Sequence, residues 1–350
     1  MTITVLGKKL PRIAIAIQPN IGVTGGGLVV DSVIRYMRHN HDVVPFVFRP
    51  TFKFGIKSIF ALVKVYTKYL FYGFASKTWP LFLSENNLMS NQFDLILVSW
   101  VEDLYFTLLS GVPPEKIIHL CQSIETWGAP PDRCLKAYTA NVKRLFVASW
   151  MQDKAFGMPG SAVISNCIRD EFLRSVPSTN DKIKRYYITY LSHKGWWKNT
   201  AESSIVADCL AYDSKLIPCS LGSGLSSFNK HKSFKRPQLK TIISIFDSTH
   251  VFISLSRYEG MPLMVLEAIS RGAFVILSRI PAHLEISKLF PRQCFFIDSS
   301  PVNFNEINSL CIPNPSHARP SPFPSIEYFS SIQFHERIKA FFEALHSNEQ

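Results

Sequence analysis

The stretch Val251-Phe252-Ile253-Ser254-Leu255-Ser256-Arg257-Tyr258-Glu259-Gly260-Met261-Pro262-Leu263-Met264-Val265-Leu266-Glu267-Ala268 decides the reading of this chain. Its apolar start, residues 251–255, reads as a buried strand. Pro262 marks a helix start, because proline is favoured at the first helical position, where its missing N–H costs nothing. The order is strand, Glu259-Gly260-Met261-Pro262 turn, helix, with Glu259 on the turn and Glu267 one to two turns into the helix. The N–H groups of Leu263 and Met264 have no partner inside such a helix. With the positive end of the helix dipole they make an anion site. Gly260 allows a ligand close to the backbone. Glu259 is placed to accept hydrogen bonds from sugar hydroxyls. The neighbours Val265, Leu266, Ala268 and Ile269 are expected to pack, which leaves Glu267 to meet a ribose or stay in solvent. The same residues also suit an ordinary strand–helix turn with two solvated glutamates.

Working outward, apolar runs alternate with helical patterns. Buried strands are expected at 12–17, 43–48, 93–98, 116–120 and 144–148, with a helix starting at Ser149 and a shorter run at 162–166. Further strands are expected at 187–191 and 216–219, and residues 334–342 read as a helix. This alternation indicates an α/β fold with parallel sheets. The polar, proline-containing segment 175–181 is the expected linker between two α/β units. Ligands of open α/β sheets bind beyond the carboxyl ends of the strands, so a cleft between two such units is the expected site. Gly25-Gly26-Gly27 lies between the first strand and a helical pattern at 28–37, the context of a phosphate cradle and equally of a flexible turn. It lacks the G-x-G-x-x-G spacing, so no nicotinamide cofactor is expected.

Composition narrows the partners. The 350 residues suffice for two domains, and 47% apolar content supports real cores. Seven dispersed cysteines without a C-x-x-C pair suggest reduced thiols in a cytosolic protein, and no metal is expected. Residues 1–10 are too short and polar for a signal peptide, and no uncharged apolar run reaches the length of a membrane span. The excess of 38 Lys+Arg over 26 Asp+Glu attracts nucleic acid, anionic membranes or phosphorylated ligands. With no nucleic-acid-binding signature present, the last two are favoured. Residues 57–71 add to this. At a helical period Lys57, Lys64 and Lys68 fall within about 20° of one line, with Lys53 close by, and Ile59, Leu62, Val63, Tyr66, Tyr69 and Leu70 occupy the opposite half. That pattern suits an interfacial membrane helix and equally a helix on a domain surface.

The spacing of Glu259 and Glu267 resembles the E-x7-E signature of retaining GT-B glycosyltransferases, in particular glycosyltransferase family 4. The resemblance continues through Arg271-Gly272-Ala273-Phe274-Val275-Ile276, a helix end, glycine cap and next strand. It reaches Pro281-Ala282-His283-Leu284-Glu285-Ile286, where Pro-Ala-His stands in place of the family's glycines. Ser165-Asn166-Cys167-Ile168-Arg169 resembles the segment that leads out of the family's first domain. The resemblance implies two Rossmann-like domains facing across a cleft: an acceptor-side domain at 1–174, a nucleotide-sugar-binding domain at 183–330, and a terminal helix at 331–350 returning to the first.

The resemblance also implies roles. Glu259 and the Gly260–Met264 turn would contact the donor sugar and diphosphate, and Glu267 the donor ribose. The glycine loop, Gly25 and Gly26, would face donor phosphate and acceptor. After the strand at 187–191 the family supplies an arginine and, five residues on, a lysine, both neutralising the diphosphate. Here the lysine is Lys194, by its Lys-Gly pair, or Lys198, by spacing and slightly preferred, and Ser192 or His193 stands at the arginine position. Gln122 replaces the family's histidine at the end of a first-domain strand, and Glu125 would bind acceptor hydroxyls or act as a base. His119 reads as a packed core histidine. The implied activity is retaining transfer of a sugar from a nucleotide sugar to a growing, lipid-linked glycan of a bacterial surface polysaccharide. It would take place in the cytoplasm, peripherally on the inner leaflet of the plasma membrane. The alternatives are a non-catalytic GT-B subunit that binds a glycan or partner, and a nucleotide-sugar epimerase.

Overall fold

The computed structural model describes residues 11–17, 25–39, 41–48, 80–83, 88, 92–124, 126, 129–153, 159–173, 186–222, 224, 231–298, 301–313 and 324–347, with the short pieces 4–5, 8–9 and residue 67. It divides into two units, residues 1–165 with 335–350, and residues 166–334.

The first unit opens with the antiparallel pair β1 (Thr4–Val5) and β2 (Lys8–Lys9). There follow β3 (Arg12–Ala16), α1 (Gly25–Met37), β4 (Asp42–Phe48), β5 (Leu81–Leu83), β6 (Leu95–Val98) and α2 (Val101–Leu109). Next come β7 (Ile117–Cys121), α3 (Pro131–Thr139), β8 (Lys143–Phe146), α4 (Ser149–Gln152) and β9 (Ala162–Val163). The strands from β3 on form one parallel sheet in the order β5-β4-β3-β6-β7-β8-β9. Its strands are apolar because both faces are covered: Ile13, Ala14, Ile15, Leu97 and Val98 are fully buried. Each of these isoleucine, leucine and valine side chains contributes about 1.5–3 kcal/mol by leaving water. The glycine triplet lies inside the first turn of α1, so this segment is helix and not loop. Arg144, on β8, is fully buried, and its guanidinium donates to the carbonyls of Ala137, Tyr138, Ala140 and Val142 at 3.0–3.1 Å. A fixed cation there satisfies the orphan carbonyls at the carboxyl end of α3.

The second unit carries α5 (Asp170–Leu173), β10 (Tyr187–Ser192), α6 (Thr200–Ser214), β11 (Ile217–Gly222), β12 (Lys232–Phe234), α7 (Leu239–Asp247) and β13 (Thr249–Ser254). It continues with α8 (Leu263–Ser270), β14 (Phe274–Leu277), α9 (Pro281–Leu289), β15 (Cys294–Phe296) and α10 (Phe304–Ser309). Its parallel sheet runs β12-β11-β10-β13-β14-β15. All of β13 and β14 is buried. The last helix, α11 (Ser331–Ser347), begins in the second unit, and its residues from His335 on group with the first. There Tyr36 stacks on His335 at 5.0 Å and the Arg337 Nε donates to the Ile164 carbonyl at 2.6 Å.

The division falls after Ser165, upstream of the linker expected at 175–181, and residues 174–185 lie outside those described. Contacts set the boundary. The Ile168 N–H donates to the Phe329 carbonyl at 2.9 Å, and Ser331 Oγ donates to Asp170 at 2.9 Å, so this stretch packs with the second unit. None of the seven cysteines forms a disulfide. Among the described residues no helix is long and apolar enough to cross a membrane. The lysines at 53, 57, 64 and 68 lie outside the described residues.

In both sheets the connections turn in opposite directions from one strand, β3 in the first and β10 in the second. The carboxyl end beside that strand is the topological switch point, where open α/β sheets bind ligands. In the second sheet Gly222 closes β11 at φ +118°, and an added Cβ would collide with the Ser192 carbonyl oxygen at the end of β10. Gly222→Ala is therefore expected to cost about 1–3 kcal/mol or more. A denaturant midpoint equal to that of the wild type would contradict this.

Candidate active site

The second unit assembles its polar residues at the switch point between β10 and β13. After β10 the chain runs through His193 and Lys194 into a 3-10 turn, Trp196–Lys198. After β13 it runs through Ser256 and Glu259 to the start of α8. The two loops are tied together by the Arg257 N–H, which donates to the Trp197 carbonyl at 2.7 Å. Trp196 and Tyr258, both largely exposed, meet edge-on at 5.6 Å.

Between them the Lys198 ammonium lies 2.5 Å from Glu259 Oε1, and the Ser256 hydroxyl donates to the same oxygen at 2.7 Å. The side chains are 20% and 11% exposed. Burial pushes the Glu259 carboxyl up, but Lys198, Ser256 and His283 together outweigh it and hold the group below the usual carboxylate range. Lys194 is exposed. Of the two lysines it is Lys198, slightly preferred by spacing, that meets Glu259.

Pro262 is the N-cap of α8 and not its first helical residue, because its ψ of 96° is extended and its carbonyl already accepts from Val265 and Leu266 at 3.1 and 3.3 Å. The orphan donors remain Leu263 and Met264, as the sequence places them. Gly260 and Met261 are buried in the turn before them.

Glu267 is buried and already paired. It is 2% exposed, and its Oε1 receives Arg169 Nε and Nη2, both at 2.9 Å. Burial raises its pKa, and Arg169 only partly offsets that. The pairing spans 98 positions in sequence.

The Pro281-Ala282-His283 segment opens helix α9, and His283 is fully buried. Its Nδ1 lies 3.0 Å from the Ser278 carbonyl and 3.2 Å from the Ser278 hydroxyl, and its Nε2 lies 3.4 Å from Ser254 Oγ. Burial drives its pKa down to about 4, so the ring is neutral at pH 7. Ser278 Oγ in turn donates to the Ser256 carbonyl at 2.5 Å. The loop that carries Glu259 is thus braced from β14 and α9 by groups that no local motif reveals.

No family model matches the sequence, and no curated protein matches it. Solved structures do. Sucrose-phosphate synthase from Thermosynechococcus elongatus superposes with a TM-score of 0.68 at 12% identity, covering 97% of this chain and 100% of that one. HepE from Anabaena, solved in complex with UDP and glucose, gives 0.64 at 13% identity, with 95% and 99% covered. Trehalose-6-phosphate synthase from Burkholderia multivorans gives 0.62 at 10% identity, with 97% and 100% covered.

The fold is GT-B.

The first unit of this GT-B chain brings two sequence-selected residues together. Gly26 and Gln122 are neighbours: a Cβ on Gly26 would come within 2.7 Å of the Gln122 amide oxygen. Gly25 and Gly26 are exposed at the start of α1, and Gln122 is half-buried beyond the carboxyl end of β7. Glu125 lies outside the described residues. His119 is packed in the core at 1% exposure, 6.0 Å from the Tyr138 ring, and burial lowers its pKa to about 3. Among the described residues no group of three or more His, Cys, Asp or Glu side chains is placed to hold a metal ion.

Proposed function

We propose that this protein transfers a sugar, with retention of anomeric configuration, from a nucleotide-sugar donor to a growing glycan. The observation that carries this reading is the Lys198–Glu259–Ser256 cluster at the switch point, next to the open amino end of α8. A carboxylate fixed beside an ammonium and a row of backbone donors suits a ligand that is hydroxylated at one end and doubly charged at the other.

Departure of a nucleoside diphosphate places charge on the leaving oxygens, and fixed cations and dipoles aimed there lower the barrier. Lys198 and the Leu263 and Met264 amides take that role, with Lys194 at the outer end of the same loop. Lys198 spends one of its three donors on Glu259 and keeps two for phosphate oxygens. Glu259 holds the donor sugar. Both Arg169 contacts fall on Glu267 Oε1, so ribose hydroxyls are assigned to Oε2. Acceptor groups are assigned to Gln122 and Glu125, and the leaving phosphate assists deprotonation of the acceptor on the same face. No metal or organic cofactor is required.

The acceptor is proposed to be a lipid-linked glycan of a surface polysaccharide, met at the cytosolic leaflet. The basic balance and the lysine pattern of residues 57–71 support this part. An anionic surface attracts each nearby lysine by about 1 kcal/mol. Changing Lys57, Lys64 and Lys68 to glutamate is thus expected to weaken flotation with anionic liposomes on the order of a hundredfold, and unchanged flotation would reject the membrane claim.

The activity itself is tested by mixing purified protein with a panel of nucleotide sugars and lipid-linked acceptors. UDP-glucose comes first, because HepE was solved with UDP and glucose. Release of nucleoside diphosphate that depends on acceptor is expected. Neither turnover nor nucleotide binding by calorimetry, with any donor of the panel, would sink the reading.

A further inference from the structure

The second unit contains a cavity of about 900 Å³ that shares only Ser256 with the proposed donor site. It opens beyond the carboxyl ends of β13, β14 and β15, within the usual range of roughly 300–1,000 Å³ for small-molecule sites. Neither Lys198, Glu259 nor Glu267 lines it. Its floor is polar and buried: Ser256 and Ser278 line it at 2% and 3% exposure. These are the serines that brace Glu259, so the cavity lies directly beside the candidate site.

The rest of the lining is mixed: Ile280, Pro301, Val302 and Phe304, which is 55% exposed, are apolar, and Arg257, Arg279, Asp298, Asn303 and Asn305 are polar. The charges there are matched. Arg279 Nε lies 3.5 Å from Asp298, and Arg257 Nη2 lies 3.7 Å from Glu202. The loop is held in shape, because the Asn305 N–H donates to Asn303 Oδ1 at 3.0 Å and the Asp298 N–H donates to Glu306 at 2.5 Å.

The Asp298 carboxylate, an acceptor-only group, lines the same cavity as the two guanidinium groups and offers a partner to hydroxyls that a phosphate cannot use. An exposed aromatic residue in one lining with amides, a carboxylate and guanidinium groups fits an uncharged pyranose. Such a ring has an apolar C–H face for Phe304 and equatorial hydroxyls for Asp298, Asn303, Asn305 and the arginines. We propose that this cavity is a carbohydrate subsite that holds sugar units of the acceptor glycan other than the one that reacts. The assignment to the acceptor rests on the glycosyl-transfer reading above; the sugar chemistry of the cavity does not.

The test measures saturation-transfer NMR of methyl α-glucoside, methyl α-mannoside, methyl N-acetylglucosaminide, maltose and chitobiose with nucleotide-free protein. Wild type is expected to bind at least one of them. Phe304→Ala and Arg279→Ala are expected to weaken that binding about tenfold. Phe304 is exposed enough that its truncation leaves the core intact, and circular dichroism checks this. Glu259→Ala is expected to keep sugar binding while losing turnover. Sugar binding without any nucleotide binding would leave the subsite standing and sink the transferase reading. No binding of any of these sugars, or binding unmoved by both Phe304→Ala and Arg279→Ala, would overturn the subsite. Loss of UDP binding in Phe304→Ala would also overturn it, by showing the cavity to be a nucleotide site.

Discussion

Glu259→Ala and Lys198→Ala are each expected to lower kcat/KM about 10²–10³-fold, the usual effect of removing one preorganised charge partner of a transition state. The pair is nearly dry, at 11% and 20% side-chain exposure, and it is already closed at 2.5 Å. Lys198 is thereby held in place before any diphosphate arrives. Glu259 is held ionised by Lys198 and Ser256 against the cost of its burial. Removing either member releases the other, so the effects are not additive. The double variant is expected to be no worse than the poorer single variant by more than a small factor. The losses should divide differently. Lys198→Ala should fall mainly in kcat, because charge on the leaving oxygens grows towards the transition state. Glu259→Ala should also raise the donor KM, because it removes a contact to the sugar. A purely structural ion pair would behave otherwise: both variants would melt lower while turnover at permissive temperature stayed at the wild-type level, and that outcome would end the catalytic assignment.

What the sequence shows of this arrangement depends on how local each feature is. Strands β3, β4, β6, β7, β8, β10, β13 and β14 are apolar runs because both faces of their sheets are covered, and such runs are readable without partners. The edge strands β5, β12 and β15 carry little signal. They are three residues long, and β12, Lys232-Ser233-Phe234, is largely exposed and need not be apolar. The turn before α8 was legible because Gly260 and Pro262 are local punctuation. Its error of one position at Pro262 reflects a ψ value that composition does not encode. The choice between Lys194 and Lys198 was only weakly legible, as a slight preference by spacing, because it depends on which side of a 3-10 turn faces Glu259, 61 residues away. Arg169 and His283 were missed for the same reason. Each acts on a residue that the sequence marks, but through the tertiary fold, and a stretch of chain carries no period or motif for a partner 98 positions distant. The unit boundary after Ser165 follows from these contacts too, since Ile168 and Arg169 are bound to the second unit although the polar, linker-like composition comes later.

Arg169→Ala is expected to destabilise the second unit by about 3–5 kcal/mol at pH 7, the cost of stripping the partner from a buried charge. Glu267, at 2% exposure, would be left ionised in a dry site with its Oε1 contacts gone. The size of the loss should depend on pH, and its sign is fixed. The folded pKa of Glu267 is already raised above 4.5 by burial. A carboxyl with a raised folded pKa binds more protons folded than unfolded, so its contribution to stability falls as pH rises from about 4.5 through the folded value. Without Arg169 that value rises further and the window widens towards neutrality. Acidification from pH 7 to about 5 should then restore much of the stability lost by Arg169→Ala. Two neighbours oppose this trend. His283, lowered to about 4, favours folding above its unfolded value of 6.5 and loses that contribution as pH falls from 6.5 to about 4. Glu259, lowered below 4.5, loses its contribution only below that value. Both are present in wild type and variant, so the difference between the two proteins isolates Glu267. Glu267→Gln in the Arg169→Ala background removes the charge while keeping the shape. It should recover most of the loss at pH 7 and flatten the pH dependence of the difference. Denaturant titrations of the three proteins at pH 5 and pH 7 decide the matter. A penalty for Arg169→Ala that is equal at both values, or that survives Glu267→Gln unchanged, would mean that Arg169 acts through packing on Phe172, whose ring lies 4.9 Å beneath its guanidinium, and not through the buried carboxylate.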